Sequence, residues 1–129
     1  MQTNILYAII SPIIEVVYIK TNLSWSFYKN EELVERYDNI IKVENSYKVN
    51  ENLSLTYEKN SYILERKTEE YKIIIDFSNK ICSINLLNEK LLTEINLLDL
   101  EIVDKDDNIT IIYKLDEDEI NKLVISLKE

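Results

Sequence analysis

The sequence predicts an all-β protein, in which one antiparallel sheet forms a lipocalin-like, closed or partly open barrel of about 8–10 strands. Three observations predict it. Apolar and polar residues alternate with a period of two in several segments, which places one face of each strand on a core. Polar breaks that contain Asn or Asp recur about every ten residues. The connections are short, and parallel strands would need long crossovers.

Size and charge limit the classes of protein to which the chain can belong. Its 129 residues are 46% apolar, enough for one domain, residues 1–129, with a core of its own. No linker or internal repeat divides the chain. The formal net charge of −9 disfavours binding to the phosphates of nucleic acids. The partners that this charge allows are basic proteins, metal ions or small molecules; alternatively, the charge only keeps the protein soluble. Of these, we expect a small molecule or a basic protein.

Three residue types are absent or nearly absent, and this argues against an enzyme. Without glycine there is no Gly-rich phosphate loop, and without histidine the usual base of a Ser or Cys triad is missing. Cys82 is the only cysteine, so it makes no internal disulfide and no cysteine zinc cluster. Isoleucines flank it, which predicts an inert core thiol. We therefore expect no catalytic residues, no metal and no cofactor, and a reducing, cytoplasmic compartment.

The apolar stretch Ile5–Ile19 is the first element. It is too short to span a bilayer and contains Pro12 and Glu15, and its flanks do not match a signal peptide. We interpret it as a buried β segment, with no membrane association.

The following strands show alternation most clearly in four places. These are 53–58, 71–77, 109–115 and 123–128. Two other segments are ambiguous. Ser83–Leu100 fits either a helix or two strands broken at Asn88-Glu89-Lys90, and Glu31–Tyr37 is a second, shorter helix candidate. Because glycine is absent, we expect asparagine and aspartate to occupy the turn positions that need a positive φ.

One acidic segment resembles a calcium loop and fails the comparison. Asp104, Asp106 and Asn108 match the first three ligand positions of an EF-hand. Ile109 and Leu115 stand where that loop requires glycine and glutamate. The segment is better interpreted as a hairpin turn.

The candidate binding residues are aromatic, with one arginine. Tyr57, Tyr71 and Tyr113 share strand faces with aliphatic residues, and Tyr62 shares a face with Arg66. An inward arginine needs acceptors or a water-filled lumen, and a buried tyrosine needs a partner for its hydroxyl. These residues, together with Trp25, could line a barrel that holds a small anionic or planar ligand. Alternatively, the tyrosines fill a solid core and Arg66 pairs with a carboxylate such as Glu69.

The alternation also predicts which side chains face the inside of the barrel. The predicted lumen residues are Trp25, Leu55, Tyr57, Leu64, Tyr71, Ile73, Ile111 and Tyr113.

Three short motifs in the C-terminal two-thirds carry a family resemblance. Tyr57-Glu58, Leu64-Glu65-Arg66 and 111–115, which reads Ile-Ile-Tyr-Lys-Leu, are similar to motifs of the YwiB-like bacterial proteins. The glycine that follows the arginine in that family is missing here. The resemblance implies a calycin-like barrel and brings no assigned activity with it.

Two hypotheses about function follow. The first is a binding module that takes a small, partly apolar or anionic ligand in the lumen or mouth of the barrel. The second is an acidic protein–protein interaction module, such as an immunity-like inhibitor or a complex subunit, that uses its charged surface or an exposed strand edge.

Overall fold

The described part of the chain forms a single antiparallel sheet. The computed structural model describes residues 19–127, which form eleven strands and no helix. The strands are β1 Ile19–Lys29, β2 Glu32–Val43, β3 Ser46–Asn50, β4 Leu53–Glu58, β5 Ser61–Lys67, β6 Tyr71–Asp76, β7 Ile81–Leu86, β8 Leu91–Asn96, β9 Asp99–Lys105, β10 Asn108–Asp116 and β11 Glu119–Leu127. The predicted fold class is confirmed. The sheet has more strands than expected, because two-residue turns separate the short β3 from β2 and from β4.

The strand order explains how the sheet curls into an open barrel. Each strand from β1 to β8 pairs with the next, β9 to β11 do the same, and β1 also pairs with β11. The two edge strands are therefore β8 and β9, which follow one another in the chain. The curled sheet has an inward side, which we call the lumen.

The two-residue link between β8 and β9 bridges the two edges. The Leu97 N–H donates to the Lys80 carbonyl next to β7 at 2.8 Å, and the Leu98 N–H donates to the Lys114 carbonyl in β10 at 2.9 Å. The Leu97 side chain is buried in the core. Consecutive amides thus bond to opposite ends of the sheet, which holds the open barrel in its curled shape.

The core lies in the lumen, as the alternation predicts. Trp25 is opposite Ile125 and Leu55 is opposite Leu64, and all four side chains are buried. Burying one large apolar side chain contributes about 1.5–3 kcal/mol, so this lining is the main source of stability.

The predicted lumen residues face inward, but one of them is exposed to solvent. Trp25, Leu55, Leu64, Ile111 and Tyr113 are buried, and Tyr71 and Ile73 are half-buried. Tyr57 pairs with buried Tyr62 on the same face, yet it is 40% exposed. It lies near the end of β4, where the core no longer covers it. Tyr57 therefore lies on the predicted inward face, but at its exposed end.

Neither of the two helix candidates forms a helix. Glu31–Tyr37 becomes a turn and the first half of β2, where Glu35 pairs with Phe27 and Tyr37 with Trp25. Pairing with a buried strand outweighs the local helix propensity of these residues. The stretch Ser83–Leu100 forms strands, with the break at 87–90. Its alternative interpretation as two strands is the correct one.

Turns without glycine use more residue types than expected. Among the described residues, eleven have a positive φ. Six of these are asparagine or aspartate, as predicted, and the other five are glutamate or lysine, such as Glu31 and Lys59. In the turn between β4 and β5 both central residues, Lys59 and Asn60, have a positive φ, which suits the twist of a tight hairpin.

One predicted element lies outside the described residues. The stretch Ile5–Ile19 is described only at Ile19, where β1 begins. Within residues 19–127, no helix is long and apolar enough to cross a membrane.

Candidate functional site

A cavity of about 330 Å³ lies in the lumen. Its wall is mostly apolar and comes from strands on both sides of the barrel. The wall includes Trp25, Phe27, Leu64, Ile73, Ile75, Cys82, Ile84, Tyr113 and Leu123. We call this space the lumen cavity. The core is therefore not solid, and an apolar space is available beside the predicted site residues.

The mouth of the lumen cavity carries an ion pair that joins β2 and β5. Arg66 Nη1 donates to Glu35 Oε2 at 2.9 Å, and Arg66 Nη2 contacts the other carboxylate oxygen, Oε1. Two strands, β3 and β4, separate β2 from β5 in the sheet. The pair thus spans the inside of the barrel and does not follow a strand ladder.

The electrostatics of this pair are those of a tight, partly buried contact. The hydrogen bond from Arg66 lowers the pKa of Glu35, although burial acts in the opposite direction. The same bond raises the pKa of Arg66. The Tyr37 hydroxyl also donates to Glu35, at 3.3 Å. Both charges are therefore maintained at neutral pH.

Arg66 retains donors that the described residues do not use. A guanidinium has five N–H groups, and the described residues accept two of them, both through Glu35. The side chain is 28% exposed and lines the lumen cavity. It can therefore donate to oxygen atoms of a molecule in the mouth.

A second ion pair lies at the same mouth. Lys29 Nζ is 3.2 Å from Glu119 Oε1, and both residues line the lumen cavity. Buried Asn121 lies nearby, and its amide donates to the Tyr113 carbonyl at 3.4 Å. The mouth therefore has two cations and two anions around an apolar interior.

At the opposite end of the barrel, side chains of β2, β3 and β5 bond to two aspartates, one near the end of β9 and one in the turn that follows it. The Tyr47 hydroxyl donates to Asp107 Oδ1 at 2.9 Å, and Lys42 Nζ is 2.6 Å from the same oxygen. The Tyr62 hydroxyl donates to Asp104. Burial raises the pKa of both tyrosines, and the acceptor aspartates raise it further, so both remain protonated donors. A shallow cavity of about 620 Å³ lies here, lined by these residues and by Tyr57.

The predicted site residues thus divide between two ends. Trp25, Arg66, Tyr71 and Tyr113 line the lumen cavity. Tyr57 and Tyr62 lie at the opposite end, with ring centroids 4.8 Å apart. The single site predicted for all six is therefore split, because residues on one face of a strand can be far apart along it.

The partner of Arg66 differs from the expected one. Glu69 follows β5 in an exposed bend, whereas Arg66 points into the barrel and reaches Glu35. Sequence reasoning missed Glu35, Lys29 and Glu119 at the mouth. For Glu35 the signal was hidden by the helix interpretation, which gave no inward face to β2.

Two further groups in the wall of the lumen cavity are the indole nitrogen of Trp25 and the thiol of Cys82. Trp25 Nε1 is buried and has no hydrogen-bond partner among residues 19–127. Cys82 is a free, buried thiol whose pKa burial raises, so it is a poor nucleophile. No group of three or more acidic or cysteine side chains in the described part of the chain is arranged to hold a metal ion.

Comparisons of the chain with protein-family models, curated proteins and solved structures found no match.

Proposed function

We propose that this protein binds a small, partly apolar molecule inside the lumen of its barrel. The observation that supports this is the lumen cavity itself, an apolar space of about 330 Å³ with a partly buried arginine at its mouth. Its volume lies at the lower end of the range of about 300–1,000 Å³ that is usual for ligand pockets. Apolar walls with a few polar groups at one end are typical of such pockets.

Trp25 provides a built-in reporter for this proposal. It is the only tryptophan of the chain and it lines the lumen cavity. A fluorescent probe such as 1-anilinonaphthalene-8-sulfonate, which absorbs where tryptophan emits, would quench Trp25 if it entered the lumen. We expect saturable quenching of Trp25 with a matching rise in probe emission.

Two substitutions on adjacent residues of β6 separate lumen binding from surface binding. Ile73 lines the lumen cavity, whereas Ile74 points to the other face of the sheet. Ile73→Phe fills part of the cavity and should weaken probe binding at least about fivefold. Ile74→Phe should leave it within about twofold. Equal affinities for the two variants, or quenching that never saturates, would reject the proposal.

The interaction module remains the second candidate, and one observation favours it. β3 pairs with β2 only at 41–43, so the rest of β2 has a strand neighbour on one side among the described residues. Leu33 and Val34 on this stretch are 52% and 53% exposed. Recovery of a basic partner that dissociates at high salt would support this candidate, and recovery of the monomer alone would count against it.

Two further proposals rest on the sequence. The resemblance to YwiB-like proteins remains a prediction, as does the calycin-like relationship that it implies. A cytoplasmic location is proposed with it, on the evidence of the single unpaired cysteine, Cys82.

A further inference from the structure

Glu35 contacts the guanidinium of Arg66 in the same way that the carboxylate of a ligand would. Two parallel contacts between the guanidinium and a carboxylate form the planar, two-pronged pair that arginine prefers. The carboxylate belongs to the chain itself, and it is 19% exposed at the mouth of an apolar cavity. An arginine that binds a carboxylate through two parallel contacts therefore lies beside the apolar lumen cavity.

The position of Glu35 in the sheet allows it to leave. Among residues 19–127, the stretch of β2 before Ile41 pairs only with β1. Register shifts flank Glu35 on that ladder, one between Phe27 and Tyr28 and one between Leu23 and Ser24. Displacing this side chain therefore breaks no ladder to a second neighbouring strand, and a carboxylate turned outward regains water.

The charged residues at the mouth of the lumen cavity indicate which class of ligand fits there. Arg66 and Lys29 balance Glu35 and Glu119. With Glu35 turned into solvent, two positive groups face one negative group, which leaves a single positive charge. One carboxylate neutralises that charge, whereas an uncharged ligand leaves Arg66 without its partner and a dicarboxylate adds excess negative charge.

We infer that the lumen ligand is a monocarboxylate with a compact apolar body, whose carboxylate replaces Glu35 on Arg66. This inference rests on the proposed function and adds the ligand class to it. Glu35 is then an internal competitor, and the observed affinity for a carboxylate is lowered by the fraction of molecules in which the Glu35–Arg66 pair is closed.

Octanoate and 1-octanol test this inference, since they share one apolar chain and differ in the carboxylate. Binding is measured by calorimetry and by Trp25 fluorescence on the folded wild-type protein and its variants. The wild type should bind octanoate more tightly than octanol. Glu35→Gln should raise the octanoate affinity about fivefold or more and leave the octanol affinity within about twofold.

Glu65→Gln is the matched control. It removes the same charge one residue away from Arg66, on a side chain that pairs with Lys72 on the other face of β5. It should change the octanoate affinity by less than about twofold. Arg66→Gln should abolish the preference for octanoate while octanol still binds. If the Arg66→Gln variant does not fold, Arg66→Lys, which lacks the two-pronged contact, is tested in its place.

The outcomes are distinguishable. Equal binding of octanoate and octanol by the wild type, or equal effects of Glu35→Gln and Glu65→Gln on octanoate, would overturn the inference and leave lumen binding intact. If neither probe binds and the Ile73 variant makes no difference to the fluorescent probe, the proposed function fails, and the inference fails with it.

Discussion

The Glu35–Arg66 pair is the residue-scale feature that connects the stability of the barrel with the proposed ligand binding. It is partly buried, and two hydrogen bonds connect its members across the lumen. An exposed pair contributes almost nothing and a broken buried pair costs several kcal/mol, so about 1–2 kcal/mol is reasonable here. In the proposed binding mode, a ligand that displaces Glu35 would give up part of this stabilisation.

Because Arg66 lowers the pKa of Glu35 below its ordinary value of 4.5, the pair makes stability depend on pH. A carboxylate with a depressed folded-state pKa stabilises the protein above its unfolded-state pKa, and this stabilisation is lost as the pH falls through the folded-state pKa. We expect Glu35→Gln to lower the free energy of unfolding by about 1–2 kcal/mol at about pH 7. The difference should be smaller at about pH 3.5, because the pH there has fallen below the ordinary carboxyl pKa of 4.5 and towards the lowered folded-state pKa of Glu35.

Urea unfolding at both pH values measures this effect. Glu65→Gln is again the control, and its exposed pair with Lys72 should give a small difference at each pH. A difference for Glu35→Gln that grows as the pH falls would contradict the assigned role of the pair.

At the scale of elements, the turns carry strain that glycine would relieve. Lys59, in the turn between β4 and β5, has a φ of 50°. A left-handed residue with a Cβ costs about 1–2 kcal/mol, and glycine avoids this at an entropic cost of about 0.4–1 kcal/mol. We expect Lys59→Gly to raise the free energy of unfolding by about 0.5–1 kcal/mol.

The turn between β3 and β4 offers a control for this prediction. Glu51 lies in that turn and is not among the residues with a positive φ. Glu51→Gly should therefore lower the free energy of unfolding, since it adds only freedom to the unfolded chain. Urea unfolding curves of both variants would reject the turn argument if they shifted in the same direction.

The same elements show which local patterns the sequence encodes well. The alternation at 53–58 and 109–115 yields strands β4 and β10 with the predicted inward faces. Glu31–Tyr37 misled because glutamate, leucine and arginine favour a helix in isolation. The pairing of this segment with the buried strand β1 could not be predicted from its own residues. For this reason Glu35 was not predicted as the partner of Arg66.

At the scale of the whole molecule, the net charge of −9 opposes compaction. Folding brings the acidic residues closer together than in the unfolded chain, and salt screens their repulsion. We expect the melting temperature to rise between about 20 mM and 200 mM NaCl, as measured by circular dichroism.

A charge-reduced variant controls for other effects of salt. Glu89 and Glu94 are exposed, and replacing both with lysine changes the net charge by four, from −9 to −5. The salt-dependent rise in melting temperature should be smaller in this variant. A fall in melting temperature with salt for the wild type would show that its ion pairs, such as Lys42–Asp107, outweigh the net repulsion.

The sequence by itself determined the strands, their inward and outward faces and most of the turns, because these depend on neighbours a few residues apart. It also identified Arg66, Tyr71, Tyr113 and Trp25 as inward-facing candidates. Only the tertiary structure decided that Glu35 reaches Arg66, that Tyr57 and Tyr62 lie at the other end, and that an apolar space remains between the walls. The reason is physical: alternation fixes the face of a side chain, whereas its depth in the barrel and its partner across the lumen depend on how the whole sheet curls.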